Sequence, residues 1–388
     1  GATRQTAMMR VLIVACSLLA LSVAIPTADQ PSWLAGSNEF DNWQVEDLKK
    51  LCGTILEPIP EHMIDNTAVD VASIPDSFDA RDQWGSCIHP IRNQQKCGSC
   101  WAFGASEAFS DRLCIASKNK TNVVLSPEDL VSCDKYGNMG CNGGVPHLAW
   151  DYMELAGLPT DACFPYTAGG GDAPACTNKC KDSETWTAYK VKKFSTKGYK
   201  SVASIQNAIM TDGPVEAAFS VYEDFMKYSS GVYEHTTGSL LGGHAIKVIG
   251  WGTESGKPYW TVANSWGTTW GEQGFFKILR GKNECGIEQG VVAGQAETTA
   301  DVEGDSRICT DCKKVADAVV SKLINLVFQG TVVGGCGDLC GHLDKPAEQK
   351  VCDGLCVLSG EVAFEDLIKK AQLNPENLCY DIKVCKHQ

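Results

Sequence analysis

The spacing of hydrophobic positions changes along the middle of the chain. Two segments, at residues 102–116 and 145–156, carry apolar residues in patterns that are compatible with helices. Strand-like patterns follow at residues 215–221, 244–251, 259–264 and 274–280. Helices and strands that occupy separate stretches of a chain are typical of an α+β fold. We therefore predict an α+β domain with a helical half and a sheet half.

An apolar run near the N-terminus has a different character. Residues 11–21 follow two methionines and Arg10, and they lead into small residues that end at Ala24. A basic start, a short apolar core and a small-residue end are typical of a secretory signal peptide. The run is too short to span a bilayer. We predict a signal peptide region over residues 1–24, and a buried core helix is the alternative.

A third pattern begins after a small, acidic segment at residues 296–307, which predicts a linker. Beyond it, apolar residues recur four positions apart, at Val315, Val319, Leu323 and Val327. This spacing predicts an amphipathic helix. We expect residues 308–388 to form a small all-α domain.

Composition narrows the class of protein. The chain has 388 residues and a net charge of -13, without a long basic run, so a nucleic-acid partner is not expected. Its 20 cysteines favour disulfide bonds in an oxidising compartment. We therefore expect the secretory pathway, with a lysosome, a vacuole or the outside of the cell as destination. The triplet at residues 119–121 predicts glycosylation of Asn119.

Cys100 is the candidate nucleophile. It directly precedes the predicted helix at 102–116, and Gln94 lies six residues upstream. A helix N-terminus and a nearby imidazolium both lower the pKa of a thiol. The rival interpretation is a redox pair of Cys97 and Cys100. A redox pair does not need Gln94, or the histidine and asparagine that follow far downstream, so we favour the nucleophile.

His244 is the candidate base. Among seven histidines, it is the one that follows two glycines, including Gly243, and starts an alternating apolar strand. The amide oxygen of Asn264 would orient the imidazole, as in a Cys-His-Asn triad, and Trp266 would shield that bond from water. The side chain of Gln94, with the backbone N–H of Cys100, would stabilise a tetrahedral oxyanion.

Several runs together resemble the papain family of cysteine peptidases, and cathepsin B in particular. They lie at residues 78–81, 97–104, 140–144, 213–222, 242–246 and 258–266. The resemblance implies a papain-like, two-lobed peptidase domain over residues 74–295, with a helical lobe and a β-sheet lobe. It also implies a propeptide over residues 25–73 that lies across the cleft and inhibits the zymogen. Protein or peptide substrates are implied, without a cofactor or metal.

The resemblance also assigns substrate-binding residues. S2 is the pocket for P2, the second residue before the cleaved bond. The residues implied for substrate binding are Gly143, Gly144, Pro146, Gly243, Ala245, Trp266 and Gly290. Three of them would line S2, namely Pro146, Ala245 and Gly290. Gly290 stands where the family often has an acidic residue at the floor of S2. A P2 arginine would then be buried without a partner, which is costly, so we expect an apolar P2.

The segment between Cys163 and Cys180 departs from cathepsin B. In the family, this region carries an occluding loop with two histidines that grip a substrate's C-terminal carboxylate. Here the segment is short and contains no histidine. We therefore expect an endopeptidase with little dipeptidyl carboxypeptidase activity.

Cysteine pairing in residues 74–295 follows from the same resemblance. The implied disulfides are Cys87–Cys114, Cys97–Cys141, Cys133–Cys176 and Cys163–Cys180. Cys285 is left over, and we expect an inert buried thiol.

The C-terminal cysteines resemble those of a saposin-B-like module. The resemblance implies the disulfides Cys309–Cys385, Cys312–Cys379 and Cys340–Cys352, and the spacing of the two remaining cysteines on predicted helices adds Cys336–Cys356. Zinc binding is the rival interpretation. Such modules commonly bind lipid or membrane, and a spacer role is equally open. The alternative function for the whole chain is a lipid-binding or membrane-perturbing protein in which the peptidase is secondary.

Overall fold

A computed structural model describes residues 31–297, except 136 and 194, together with residues 340 and 349. The predicted signal peptide and almost all of the linker and C-terminal domain, with its expected disulfides, lie outside the described residues. None of the described helices combines the length and the apolar character that crossing a bilayer requires.

Five of the six described α-helices lie before residue 160, and the sixth lies among the strands. The six are α1 (Val45–Leu51), α2 (Ala80–Trp84), α3 (Cys100–Ala116), α4 (Pro127–Cys133), α5 (Pro146–Leu155) and α6 (Val202–Asp212). Helices α3 and α5 confirm the two predicted helices. Helix α4 starts after Ser126, whose side chain caps it, with proline at the first helical position.

The described strands form one sheet. They are β1 (Trp33–Ala35), β2 (Phe78–Asp79), β3 (Lys197–Tyr199), β4 (Val215–Tyr222), β5 (Tyr228–Tyr233), β6 (Leu240–Glu254), β7 (Lys257–Ala263), β8 (Phe275–Leu279) and β9 (Gly290–Ala293). Their order is β1-β5-β8-β7-β6-β4-β9-β3, and β2 also pairs with β6. Neighbours are antiparallel except β5 and β8. The four predicted strands are confirmed with shifted bounds, as β4, β6, β7 and β8.

Helix α3 packs against β6 and is buried around almost its whole circumference. Its charged residues are therefore paired inside the protein, as buried charges must be. Asp111 accepts a hydrogen bond from Lys247 of β6 at 2.7 Å, and Arg112 donates to the carbonyl of Pro214 at 2.8 Å. These bonds fix the helix, and with it Cys100 at its first position.

Residues 31–73, called the N-terminal segment below, are anchored on the sheet and against the ring of Trp266. Strand β1 pairs with β5, and the indole N–H of Trp33 donates to the carbonyl of Glu234 at 2.9 Å. The ring of Phe40 meets that of Trp266 edge-on, with centroids 5.4 Å apart. Helix α1 follows and directs the chain from Leu51 onward into the cleft.

Four disulfides join described cysteines, in the same pairs that the family resemblance implied: Cys87–Cys114, Cys97–Cys141, Cys133–Cys176 and Cys163–Cys180. Among the described residues, Cys52, Cys100 and Cys285 are free thiols. Burial and the neighbouring Glu284 raise the pKa of Cys285, so its thiol is protonated in this state. The expectation of a buried thiol is wrong in part, because Cys285 is only partly buried.

Candidate active site

Cys100 is fully buried at the start of α3. Its Sγ lies 3.1 Å from the hydroxyl of Thr54, a residue of the N-terminal segment. Burial raises the pKa of the Cys100 thiol, and this effect outweighs hydrogen bonds from Thr54 and from backbone groups that lower it. The expectation of a lowered pKa is therefore wrong for this state, because the N-terminal segment covers the thiol.

His244 lies in β6 and is fully buried. Its Nε2 is 2.7 Å from Oδ1 of Asn264, an amide oxygen that accepts the ring N–H. The indole of Trp266 covers the imidazole, with ring centroids 4.6 Å apart. Burial lowers the pKa of His244 to about 4, against the opposing effects of Asn264 and of the Leu51 backbone. Among the described residues, Nδ1 of His244 has no hydrogen-bond partner.

Gln94 is buried and held at both ends of its amide. Its Oε1 accepts a hydrogen bond from Ser265 Oγ at 2.7 Å. Its Nε2 donates to the carbonyl of Cys97 at 2.9 Å and to that of Leu51 at 3.0 Å. The N–H expected to stabilise an oxyanion is thus already engaged by a carbonyl of the N-terminal segment.

The main chain of the N-terminal segment bonds to two glycines expected to hold substrate. Gly144 donates to the carbonyl of Gly53 at 2.9 Å and accepts from Ile55 at 2.9 Å, while Gly243 accepts from Thr54 at 3.0 Å. A Cβ on neighbouring Gly143 would lie 2.6 Å from the Gly53 carbonyl oxygen. Close backbone approach of this kind requires glycine.

A cavity of about 350 Å³ lies between residues 55–59 and the body of the protein. Pro146 and Gly290, which the family resemblance assigns to S2, both line it. The third expected residue, Ala245, does not: it is fully buried and pairs across the strands with Ala218, which is a lining residue. That this cavity is S2 stays a prediction. Lys200 also lines the cavity, although nothing in its sequence context indicated this.

The segment after Cys163 is tied to α4 and to residues 94–99, the loop before Cys100. Glu128 accepts a hydrogen bond from the backbone of Ala168 at 2.9 Å. The hydroxyl of Tyr166 lies 2.8 Å from Ser99 Oγ and donates to the carbonyl of Gln94 at 2.9 Å. Tyr166 is thus a positioning residue that sequence analysis missed, because a lone tyrosine outside any motif carries no signal.

Two further expectations concern the surface and metal binding. Asn119 is exposed in the turn after α3, and its glycosylation stays a prediction. Within residues 31–297, no group of three or more histidine, cysteine or acidic side chains is placed to hold a metal ion.

The fold and this covered site define a papain-like cysteine protease in its zymogen form. The model of the papain family of cysteine proteases matches residues 74–295. The chain belongs to that family.

Relatives support this assignment. The chain is 52% identical over 250 residues to a gut-specific cysteine proteinase of Caenorhabditis elegans, which covers 59% of this chain and 76% of the relative. It is 46% identical over 301 residues to cathepsin B-like cysteine proteinase 5 of the same organism, at 68% and 86% coverage.

Solved structures include the zymogen state. Procathepsin B S9 from Trypanosoma congolense has a TM-score of 0.64 at 34% identity, covering 69% of this chain and 94% of that one. A digestive procathepsin L2 from Tenebrio molitor has a TM-score of 0.57 at 30% identity, covering 69% and 85%. Separately, residues 307–383 match the Countin N-terminal domain. The saposin-like interpretation of that region stays a prediction.

Proposed function

We propose that this protein is a cysteine endopeptidase in which Cys100, His244 and Asn264 carry out the reaction once the N-terminal segment is removed. The main support is the buried hydrogen bond of 2.7 Å between Nε2 of His244 and Oδ1 of Asn264. The thiol of Cys100 lies in the same site, at the N-terminus of α3. The free Nδ1 of His244 accepts the proton of Cys100, and Asn264 holds the ring in orientation.

The reaction then follows from these groups. The Cys100 thiolate attacks the peptide carbonyl, and the resulting oxyanion is stabilised by Nε2 of Gln94 and the backbone N–H of Cys100. Protonated His244 gives its proton to the leaving amine, which leaves an acyl-enzyme thioester. Water, deprotonated by His244, hydrolyses this thioester and restores the thiol.

The endopeptidase mode rests on the segment from Cys163 to Cys180. It contains no histidine, and the Tyr166 hydrogen bonds tie it to the Cys100 loop. Without imidazoles to grip a terminal carboxylate, a substrate gains nothing from having one. Apolar walls at Pro146, Ala218 and Val292 favour an apolar P2.

The test uses acid-activated protein and one quenched fluorescent peptide made with a free C-terminus and with an amide. We expect equal kcat/KM for both, and no hydrolysis by Cys100→Ala. An epoxide thiol inhibitor should label Cys100 and abolish activity. A strong preference for the free C-terminus, with release of dipeptides, would contradict the endopeptidase mode. Failure to label Cys100 would contradict the proposal as a whole.

A further inference from the structure

We propose that Lys200 determines the charge preference of S2, so that an acidic P2 side chain is favoured over its neutral isostere and a basic one is rejected. This inference rests on the proposed function, because it concerns the substrates of the same site. It extends the apolar-P2 expectation, which concerned the walls of the pocket, to the charge at its rim.

The first observation is the charge of the residues that line the cavity. They include Glu57, which belongs to the N-terminal segment, and Lys200, which follows β3. In the zymogen, burial lowers the pKa of His147 to about 4, so it is neutral there above that pH. The thiol of Cys285 is also neutral. Outside the N-terminal segment, Lys200 is the one lysine, arginine, aspartate or glutamate among the described lining residues.

The second observation is the partner that Lys200 has in the zymogen. Its Nζ lies 2.7 Å from a carboxylate oxygen of Glu61, again in the N-terminal segment. Maturation therefore removes both the paired carboxylate of Glu61 and the neighbouring carboxylate of Glu57. It leaves beside S2 an ammonium group that is paired with Glu61 in the zymogen.

The floor of the pocket permits this role. Gly290 and Gln289 line it, so no acidic side chain at these positions competes for the ammonium group. A carboxylate at P2 would therefore meet the cation of Lys200. A guanidinium at P2 would meet the same cation and find no acid at position 290.

The size of the effect is limited by solvent. The side chain of Lys200 is 48% exposed, and exposed ion pairs are weak and screened by salt. We expect a ratio of kcat/KM for P2 glutamate over P2 glutamine of about 3, decreasing as salt is added.

The experiment compares otherwise identical reporter peptides with leucine, glutamate, glutamine or arginine at P2. The activated wild type is measured beside Lys200→Met, Lys200→Glu and the control Lys227→Met, which removes an exposed lysine from a short helical turn outside the cavity lining. We expect the glutamate-to-glutamine ratio to fall to about 1 in Lys200→Met and to stay near 3 in Lys227→Met. Lys200→Glu should raise the arginine-to-leucine ratio.

Two failures are distinguishable. If the P2-leucine reporter is hydrolysed but the glutamate-to-glutamine ratio is the same in wild type and both Lys200 variants, the inference about Lys200 is overturned alone. If no reporter is hydrolysed by folded, activated protein, the proposed function falls and the inference falls with it.

Discussion

Gly53 is the position where the smallest substitution should release the inhibition of the zymogen. A Cβ there would lie 1.9 Å from the carbonyl oxygen of Gly98, and 2.5 Å and 2.7 Å from its carbonyl carbon and Cα. All three are backbone atoms of the loop before Cys100, so no side chain can move aside. Gly53→Ala must therefore displace the inhibitory segment from the cleft.

The magnitude follows from the bonds that depend on this position. Three backbone hydrogen bonds, at 2.9, 2.9 and 3.0 Å, join residues 53–55 to Gly144 and Gly243. At about 1 kcal/mol each, their loss costs about 3 kcal/mol. Because about 1.4 kcal/mol is a tenfold change in a binding constant, inhibition should weaken roughly 100-fold.

The assay adds a synthetic peptide of residues 31–73 to the activated peptidase and measures its inhibition constant with a P2-leucine reporter. Glu46→Ala in the same peptide is the matched control, because Glu46 is exposed on α1. We expect the control to inhibit as the unmodified peptide does. If the Gly53→Ala peptide inhibited within about threefold of the unmodified one, the steric argument would be refuted.

The remaining predictions concern a hydroxyl, a buried carboxyl and a tyrosine. Thr54→Val removes the hydroxyl bonded to Cys100 at 3.1 Å, which should weaken peptide inhibition about fivefold in the same assay. Burial raises the pKa of Glu107 from 4.5 to about 7, so unfolding releases a proton in this range and stability falls as pH rises through it. Glu107→Gln should remove this fall, up to about 3 kcal/mol, and flatten Tm against pH. Tyr166→Phe should lower kcat about tenfold and change KM much less, because it loosens the loop at residues 94–99. An unchanged kcat would contradict the positioning role of Tyr166.

Local pattern anticipated much of the fold. Helix α3 and strand β6 were predicted because their apolar spacing persists over long segments. Helix α6 was missed, because it lies among strands, and its capping box pairs Ser201 with Ser204 in place of the usual acidic or amide residue. Strand β1 was missed because a three-residue strand has too little periodicity to detect.

The site was anticipated unevenly for a different reason. Cys100 and His244 stand in runs whose residue types already indicate chemistry, whereas Lys200 and Tyr166 gain their positions from contacts with residues far away in sequence. The direction of the thiol pKa also depends on a distant segment, since it is burial under Thr54 and its neighbours that raises it. No local pattern around Cys100 contains that information.

The same burial accounts for an inactive zymogen in which part of the proposed catalytic hydrogen bonding is already in place. The His244–Asn264 and Gln94–Ser265 bonds exist while the cleft is occupied. The carbonyl of Leu51 even contacts Nε2 of Gln94, as a substrate carbonyl would. Attack on it needs a thiolate, and burial keeps both the thiol and the imidazole neutral. Removing the segment takes away the burial and leaves the helix N-terminus, which favours the thiolate. Activation therefore needs uncovering of the site, after which Cys100 and Nδ1 of His244, which share no hydrogen bond here, must come together.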